Sequence, residues 1–351
     1  EISMRVVQFV IPSSGRRVGF VQGNDVVDVT SSDRSLTSVF DIFQVSQLTG
    51  KSFDQTLANK DLIDSADRLT YADLLTAEVG GSSPYLVAPF GHPDDHRVIV
   101  SGTGLTHTGS MQSRDQMHSD DAIDSEEPVT DSAKMFQMGI DGGKPLPGER
   151  GVSPEWFYKG NGLQLRSHRQ SLEVHAHARD GGEEAEICGC YVVDREGVPR
   201  RIGFALGNEW SDHATEKLNY LYLAPSKLMP CAVGPELVLD HDFQEISIRC
   251  SVRRNDDVIY DSGPLWSGEQ HMCHSLANCE DHHFKYPQHR RPGDVHLHFF
   301  GTSKLSYGIR EWQYADGDEI CVTADAFSAP LVNTVHVSEP RGDDPFVVQA
   351  I

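Results

Sequence analysis

Hydrophobic and polar residues alternate in short runs over the first 90 residues, at Arg5–Phe9 and Val18–Val29, with Gly and Ser breaking the runs. Alternation with period two predicts strands, and the weaker helical spacing between Ser35 and Leu75 predicts short helices after them. Together they describe a small α+β domain over residues 1–93, closing near Pro89–Pro93. From Pro154 onward the chain reads mainly as strands, for example Ile246–Val252, Val295–Phe300 and Glu319–Thr323. Turn signals separate them at Asp194–Gly197, Asn255–Asp257, Arg291–Asp294 and Asp316–Asp318. Helical spacing survives at Asp212–Leu223 and Glu269–Phe284. The expectation is an α+β protein whose second domain, residues 94–351, is mostly β with few helices.

Residues 115–149 interrupt this pattern with nine acidic residues against two lysines and almost no periodicity. The run Gly142-Gly143-Lys144-Pro145-Leu146-Pro147-Gly148 closes the segment. It reads as a solvated acidic loop with one short helix. A lid over an active site is the alternative, since long loops in compact domains are often functional.

Composition narrows the function class. At 351 residues the chain is two or three times the length of a single-core domain. Against 30 Lys+Arg stand 52 Asp+Glu, a formal charge of -22. No basic stripe is present to neutralise phosphates, which excludes a nucleic-acid partner. No apolar run approaches the roughly 18 residues of a membrane span, and the apolar start Val6–Ile11 is too short for a signal peptide. Seven cysteines, none before Cys188, argue against a disulfide framework. A cytoplasmic protein without a membrane partner is expected.

The chemistry concentrates in the later part of the chain. Glu184-Ala185-Glu186 stands where the chain enters a strand, so period two puts both carboxylates on one face. The chain turns at Asp194–Gly197 and returns through Arg201–Leu206. A hairpin centred between Arg195 and Glu196 predicts Glu184 near Gly207, with Glu209 just past the returning strand. Three converging carboxylates repel one another unless a cation or protons compensate. Oxygen-only ligation suits Mg2+, Mn2+ or Ca2+ rather than zinc. A solvated strand face is the plain alternative, because the E-x-E spacing is common.

Gly207-Asn208-Glu209-Trp210-Ser211 resembles the G-N-D-W-S element of the fumarylacetoacetate hydrolase family. Five further segments match that family in order over residues 154–335. They are Pro154–Lys159 (P-x-x-F-x-K), the E-x-E pair itself, Lys227–Pro235 with its lysine, Pro292–Val295 with Gly301-Thr302 (P-G-D-V and G-T), and Leu331–Val335 (L-x-N-x-V). Gly102–His107 and His282–Tyr286 look closest to a GguC-like branch associated with sugar-acid catabolism.

The resemblance implies a β-rich catalytic fold of mixed, barrel-like sheets, a homodimer, and a divalent metal, Mg2+ first, on Glu184, Glu186 and Glu209. It implies Lys227 as the catalytic lysine, and Lys159 and Thr302 as substrate contacts. Two departures matter. The third ligand is Glu209 where the family has Asp, and Ser110 stands about where many of its hydrolases carry a lid histidine. His107, Asp115 and His118 are the nearby acid–base substitutes, with Ser110 and Arg114 beside the substrate. Loss of the lid histidine disfavours plain C–C hydrolysis of acylpyruvate-like diketo acids. It favours dehydration of a 2-keto-3-deoxy sugar acid, a reaction of neighbouring branches. The expected partner is therefore a small 2-oxo acid, chelating the metal so that charge on its keto oxygen is stabilised. A non-catalytic sugar-acid-binding protein is a further alternative.

The histidines around Cys273, Cys279, His282, His283, His296 and His298 lack zinc-ligand spacing, and packed or interface side chains are expected. No G-x-S-x-G elbow or complete dinucleotide fingerprint occurs.

Overall fold

The computed structural model describes residues 3–111, 130–339 and 345–351. Its frame is a 12-stranded sheet and a 6-stranded sheet. The larger sheet runs outward in both directions from Cys231–Val238, Pro199–Asn208 and Ala185–Val193. On one side follow Arg5–Ile11, Gly15–Gln22, Asp25–Asp28 and Asp67–Thr70; on the other, Val295–Phe299, Val98–Gly104 and Glu155–Gly160. In the smaller sheet Ile246–Arg254, Glu319–Ala324 and Leu331–Val337 are successive neighbours. The mixed, β-rich frame agrees with the α+β expectation.

The first 93 residues supply one flank of the larger sheet. Arg5 and Val6 pair with Val238 and Leu237, so the sheet crosses from residues 1–93 into the later chain without a break. One core cluster likewise joins Val6, Val18 and Val27 to Cys188, Leu237 and Val295. Helix Val39–Thr49 packs there through Val39, Ile42, Phe43 and Ser46, at helical spacing. Its ends carry strong signals: the Ser38 side chain accepts from the Asp41 N–H, and Gly50 takes the left-handed conformation at φ 69°.

All nine residues of Ala185–Val193 are buried, because apolar cores cover both faces. Ala185, Ile187 and Tyr191 face one core; Cys188, Cys190 and Val192 face the other. The cysteines after the E-x-E pair are therefore core thiols. All seven cysteines are free.

The helical spacing at 212–223 resolves into a helix, His213–Leu218, a 3-10 turn, Tyr220–Tyr222, and a helical turn, Leu223–Ser226. That at 269–284 yields helix Leu276–Phe284, preceded by a 3-10 turn. In the acidic segment the described part contains helix Asp131–Gly142. Among the described residues no helix is long and apolar enough to cross a membrane.

Candidate active site

The hairpin Ala185–Val193/Pro199–Asn208 brings the three glutamates together. Centring it between Arg195 and Glu196 would put Glu184 across from Gly207, but the structure puts Glu186 there and Ala185 across from Asn208. Two local features move the register. The turn closes with the Asp194 N–H on the Val198 carbonyl at 2.9 Å, centring it on Glu196. A bulge then pairs Cys190 with Gly203 and Tyr191 with Arg201, leaving Ile202 unopposed. Glu184 and Glu209 consequently flank the open end, where the Glu209 N–H donates to the Glu184 carbonyl at 2.9 Å. Carboxylate oxygens of Glu184, Glu186 and Glu209 lie within 4.8 Å of one another, all buried.

Two wholly buried lysines face this triad. Lys227, following the turn Leu223–Ser226, sets its Nζ 2.6 Å from Glu184 Oε1, 2.6 Å from Glu209 Oε2 and 3.0 Å from Ser211 Oγ. Lys159, on strand Glu155–Gly160, sets its Nζ 2.6 Å from Glu209 Oε1 and donates to the carbonyls of Trp210 and Lys227. An ammonium has three donors, so Lys159 is saturated by protein groups. Lys227 has three partners as well, but it lines a narrow cavity beside the triad, whereas Lys159 holds Glu209 and is not among the residues lining that cavity.

The charges sort the glutamates. Burial works against ionisation of Glu184, but Lys227 and the 2.8 Å bond to His213 Nε2 hold it well below the usual carboxylate range. Glu186 receives one backbone N–H, from Gly301 at 2.8 Å. Burial and the charges of Glu184 and Glu209 push it well above that range. Glu209 is also raised, by burial and by Glu184, against the pull of both lysines. For Lys227, burial alone would lower the ammonium's affinity for its proton; Glu184, Glu209 and Glu216 raise it. Three carboxylates face two lysines, and the one negative charge left over is met either by a proton, which Glu186 is driven to hold, or by a cation.

The donor set fits a hard divalent ion. Magnesium, at about 2.0–2.1 Å from oxygen, holds its ligand oxygens no more than about 4.2 Å apart. The 4.8 Å cluster must then draw in by up to about 0.6 Å. Calcium, at about 2.3–2.6 Å, accepts the present spacing.

Beside the triad lies a narrow cavity walled by Glu184, Lys227, Ser110, Thr302, His213 and Glu216. Ser110 and Thr302, both expected as substrate contacts, line this cavity. His107 is buried, 2.8 Å from Thr106 Oγ1 through Nδ1, and does not line that wall. Burial lowers its pKa to about 3, so it is neutral at pH 7. Arg114, Asp115 and His118 lie outside the described residues. Sequence reasoning missed Glu216 as a site residue. The available signal was spacing: His213 and Glu216 stand three apart on a short helix, which puts two polar side chains on one face.

The histidine cluster is packing. His283 Nε2 lies 2.8 Å from His296 Nδ1, and His298 is held between Ser101 Oγ at 2.8 Å and Thr103 Oγ1 at 2.7 Å. The only grouping of potential metal ligands among the described residues is the glutamate triad.

No family model matches the chain. A Haloferax volcanii protein named a probable 2-keto-3-deoxyxylonate dehydratase is 22% identical over 332 residues, covering 92% of this chain and 96% of its own. The solved 2-keto-3-deoxy-D-arabinonate dehydratase complexed with magnesium and 2,5-dioxopentanoate is similar at TM-score 0.65 and 16% identity, over 95% of this chain and 99% of its own. Fumarylacetoacetate hydrolase from Exiguobacterium antarcticum is similar at TM-score 0.59 and 16% identity, over 96% and 100%. The fold implied by six motifs in residues 154–335 therefore extends over nearly the whole chain.

Proposed function

We propose that this chain is a divalent-metal-dependent dehydratase of a 2-keto-3-deoxy sugar acid. The observation that carries the reading is the buried triad Glu184, Glu186 and Glu209, with Lys227 bridging two of its members beside a cavity. The similar proteins named for dehydration of 2-keto-3-deoxy acids, matched over more than nine-tenths of this chain, support the same chemistry.

Glu184, Glu186 and Glu209 would hold the ion, with Mg2+ the first choice. When bound, the ion supplies Lewis-acid polarisation of the 2-keto group, which acidifies the C3 protons. Lys159 fixes Glu209, the Gly301 N–H fixes Glu186, and His213 fixes Glu184. Lys227 polarises or protonates the reacting end. Ser110 and Thr302 contact the substrate from the cavity wall. Dehydration breaks a C3–H bond and the C4–O bond, releasing water. Asp115 and His118, and His107 behind the wall, are the acid–base candidates for the C3 proton.

A cytoplasmic homodimer is part of the proposal. Seven free cysteines suit a reducing compartment. Tyr158 and Leu228 expose apolar surface in a groove they line with Trp156, Leu223 and Pro225, and Leu221 and Tyr222, just before Leu223 in the chain, are exposed too, which suits burial against a second copy.

The test is incubation of the Mg2+-loaded protein with 2-keto-3-deoxy sugar acids and acylpyruvates, followed by product mass. A product lighter by one water supports dehydration. Cleavage products that together gain one water would replace it with hydrolysis, and an unchanged ligand that only stabilises the fold would make the protein a binder.

A further inference from the structure

Strand Val98–Gly104 runs parallel to Val295–Phe299 with Gly102 beside Phe299, so the two strands end close together. Leu105 then takes φ 52°, a left-handed conformation uncommon for a bulky side chain, and Thr106 meets the Phe300–Gly301 peptide. Thr106 Oγ1 lies 2.7 Å from the Phe300 carbonyl oxygen and 2.8 Å from His107 Nδ1. A carbonyl only accepts, so the one hydroxyl proton goes to Phe300, and His107 Nδ1 carries the proton that it gives to Thr106. On the other side of the ring, His107 Nε2 has no hydrogen-bond partner among the described residues, so nothing there favours the opposite tautomer. Gly301 makes the approach possible: it sits at φ 96°, and a Cβ there would stand 2.1 Å from Thr106 Oγ1. The peptide unit that accepts from Thr106 through its oxygen donates through its N–H to Glu186 Oε2 at 2.8 Å. Thr106, His107 and Glu186 are all buried.

We infer that Thr106 and His107 are positioning residues for the cation: a series of donors runs from His107 through Thr106 and the Phe300–Gly301 peptide to Glu186, and holds that carboxylate as a ligand. This rests on the proposed placement of a divalent ion on Glu184, Glu186 and Glu209. A peptide group is planar with its C=O and N–H on opposite sides, so fixing the oxygen fixes the direction of the N–H. A donor that is itself accepting a hydrogen bond is polarised, and bonds in series strengthen one another in a buried setting. Glu184 and Glu209 are oriented by lysine ammonium groups, whereas Glu186 is oriented by this backbone N–H. Its direction therefore decides whether the Glu186 oxygen meets the ion together with the other two. The same series touches the cavity wall, because the His107 carbonyl accepts from the Ser110 N–H at 3.1 Å and from Ser110 Oγ at 2.7 Å. His107 thereby has a role that needs no contact with substrate.

The experiment is calorimetric titration of the full chain and its variants with Mg2+. Thr106→Val keeps the shape of the side chain and interrupts the donors; it should weaken Mg2+ binding at least about tenfold, the size of effect that contacts behind a metal ligand have. Thr106→Ser restores the hydroxyl and should recover most of that loss, which a merely structural role for the threonine methyl would not do. A second readout needs no metal. In metal-free wild-type protein with isotope-labelled histidine, proton–nitrogen NMR at pH 7 should show the His107 ring proton on Nδ1, the signal being assigned by its absence from His107→Gln. A proton on Nε2 overturns the inference even if Thr106→Val fails to fold. Unchanged Mg2+ affinity in a folded Thr106→Val protein, or equal weakening by Thr106→Ser, overturns it as well. If wild-type protein binds none of Mg2+, Mn2+ and Ca2+, the placement of an ion on the glutamates fails, and the inference falls with it. If Mg2+ binding responds as expected but no water is lost from any sugar acid, the series of donors stands and the dehydratase reading fails.

Discussion

Acidification from pH 7 to pH 5 should destabilise this protein by an amount comparable with its whole folding free energy. Burial holds His107, His296 and His298 at pKa values of about 3, with repulsion from neighbouring histidines adding to it. In the unfolded chain each returns to about 6.5. The unfolded state therefore binds more protons than the folded one below about pH 6.5, so stability falls as pH falls. The loss begins near pH 6.5 and continues until the folded histidines themselves protonate near pH 3. At pH 5 each histidine is about 1.5 units below its unfolded pKa, which costs about 2 kcal/mol at 1.36 kcal/mol per unit. Three of them cost about 6 kcal/mol, against a typical total of about 5–15. Glu186 acts in the opposite sense. Burial and the neighbouring glutamates raise its folded pKa, so acid relieves it. Saturating Mg2+ should suppress that contribution. The assay is denaturant unfolding at pH 7, 6 and 5 in saturating Mg2+. A His107→Asn variant, whatever its stability at pH 7, should lose about 2 kcal/mol less than wild type over the same interval. A wild-type stability that stays level from pH 7 to pH 5 would refute the reasoning, because a buried histidine network cannot avoid the linkage.

Lys227→Met should abolish turnover yet bind Mg2+ at least as tightly as wild type, because the ammonium that competes for Glu184 and Glu209 is gone; calorimetric Mg2+ titration beside a dehydration assay checks both halves, and retained turnover sinks the assigned role. The melting temperature should rise as KCl increases from 0.1 M to about 1 M, since a formal charge of -22 repels itself and salt screens that repulsion. A melting temperature that falls with KCl would show that surface ion pairs outweigh the repulsion.

The parts of this structure that were legible in the sequence are those fixed locally. Glu184 and Glu186 share a face because strands alternate, and their convergence with Glu209 follows from a hairpin whose turn residues are plain. The register was not legible, because it depends on Ile202 bulging out of the returning strand, and nothing in Arg201-Ile202-Gly203 marks that position over its neighbours. The continuity of the sheet across residue 93 was hidden for a related reason. It depends on Arg5 and Val6 pairing with Val238 and Leu237, more than two hundred positions away. Local periodicity gives the existence of a strand and says nothing about its distant partner. The lysines show the same limit in the site. Motif spacing put Lys159 and Lys227 near the carboxylates but could not divide their work. Both ammonium groups have three partners, but Lys159 holds Glu209 away from the cavity, whereas Lys227 lines the cavity beside the triad. Glu216 was hardest to find, since an acidic residue on a short helix ordinarily faces water. Its place on the cavity wall arises only when the turns after it bring Lys227 back beside the same helix, so that one short helix and the lysine that follows it line one cavity.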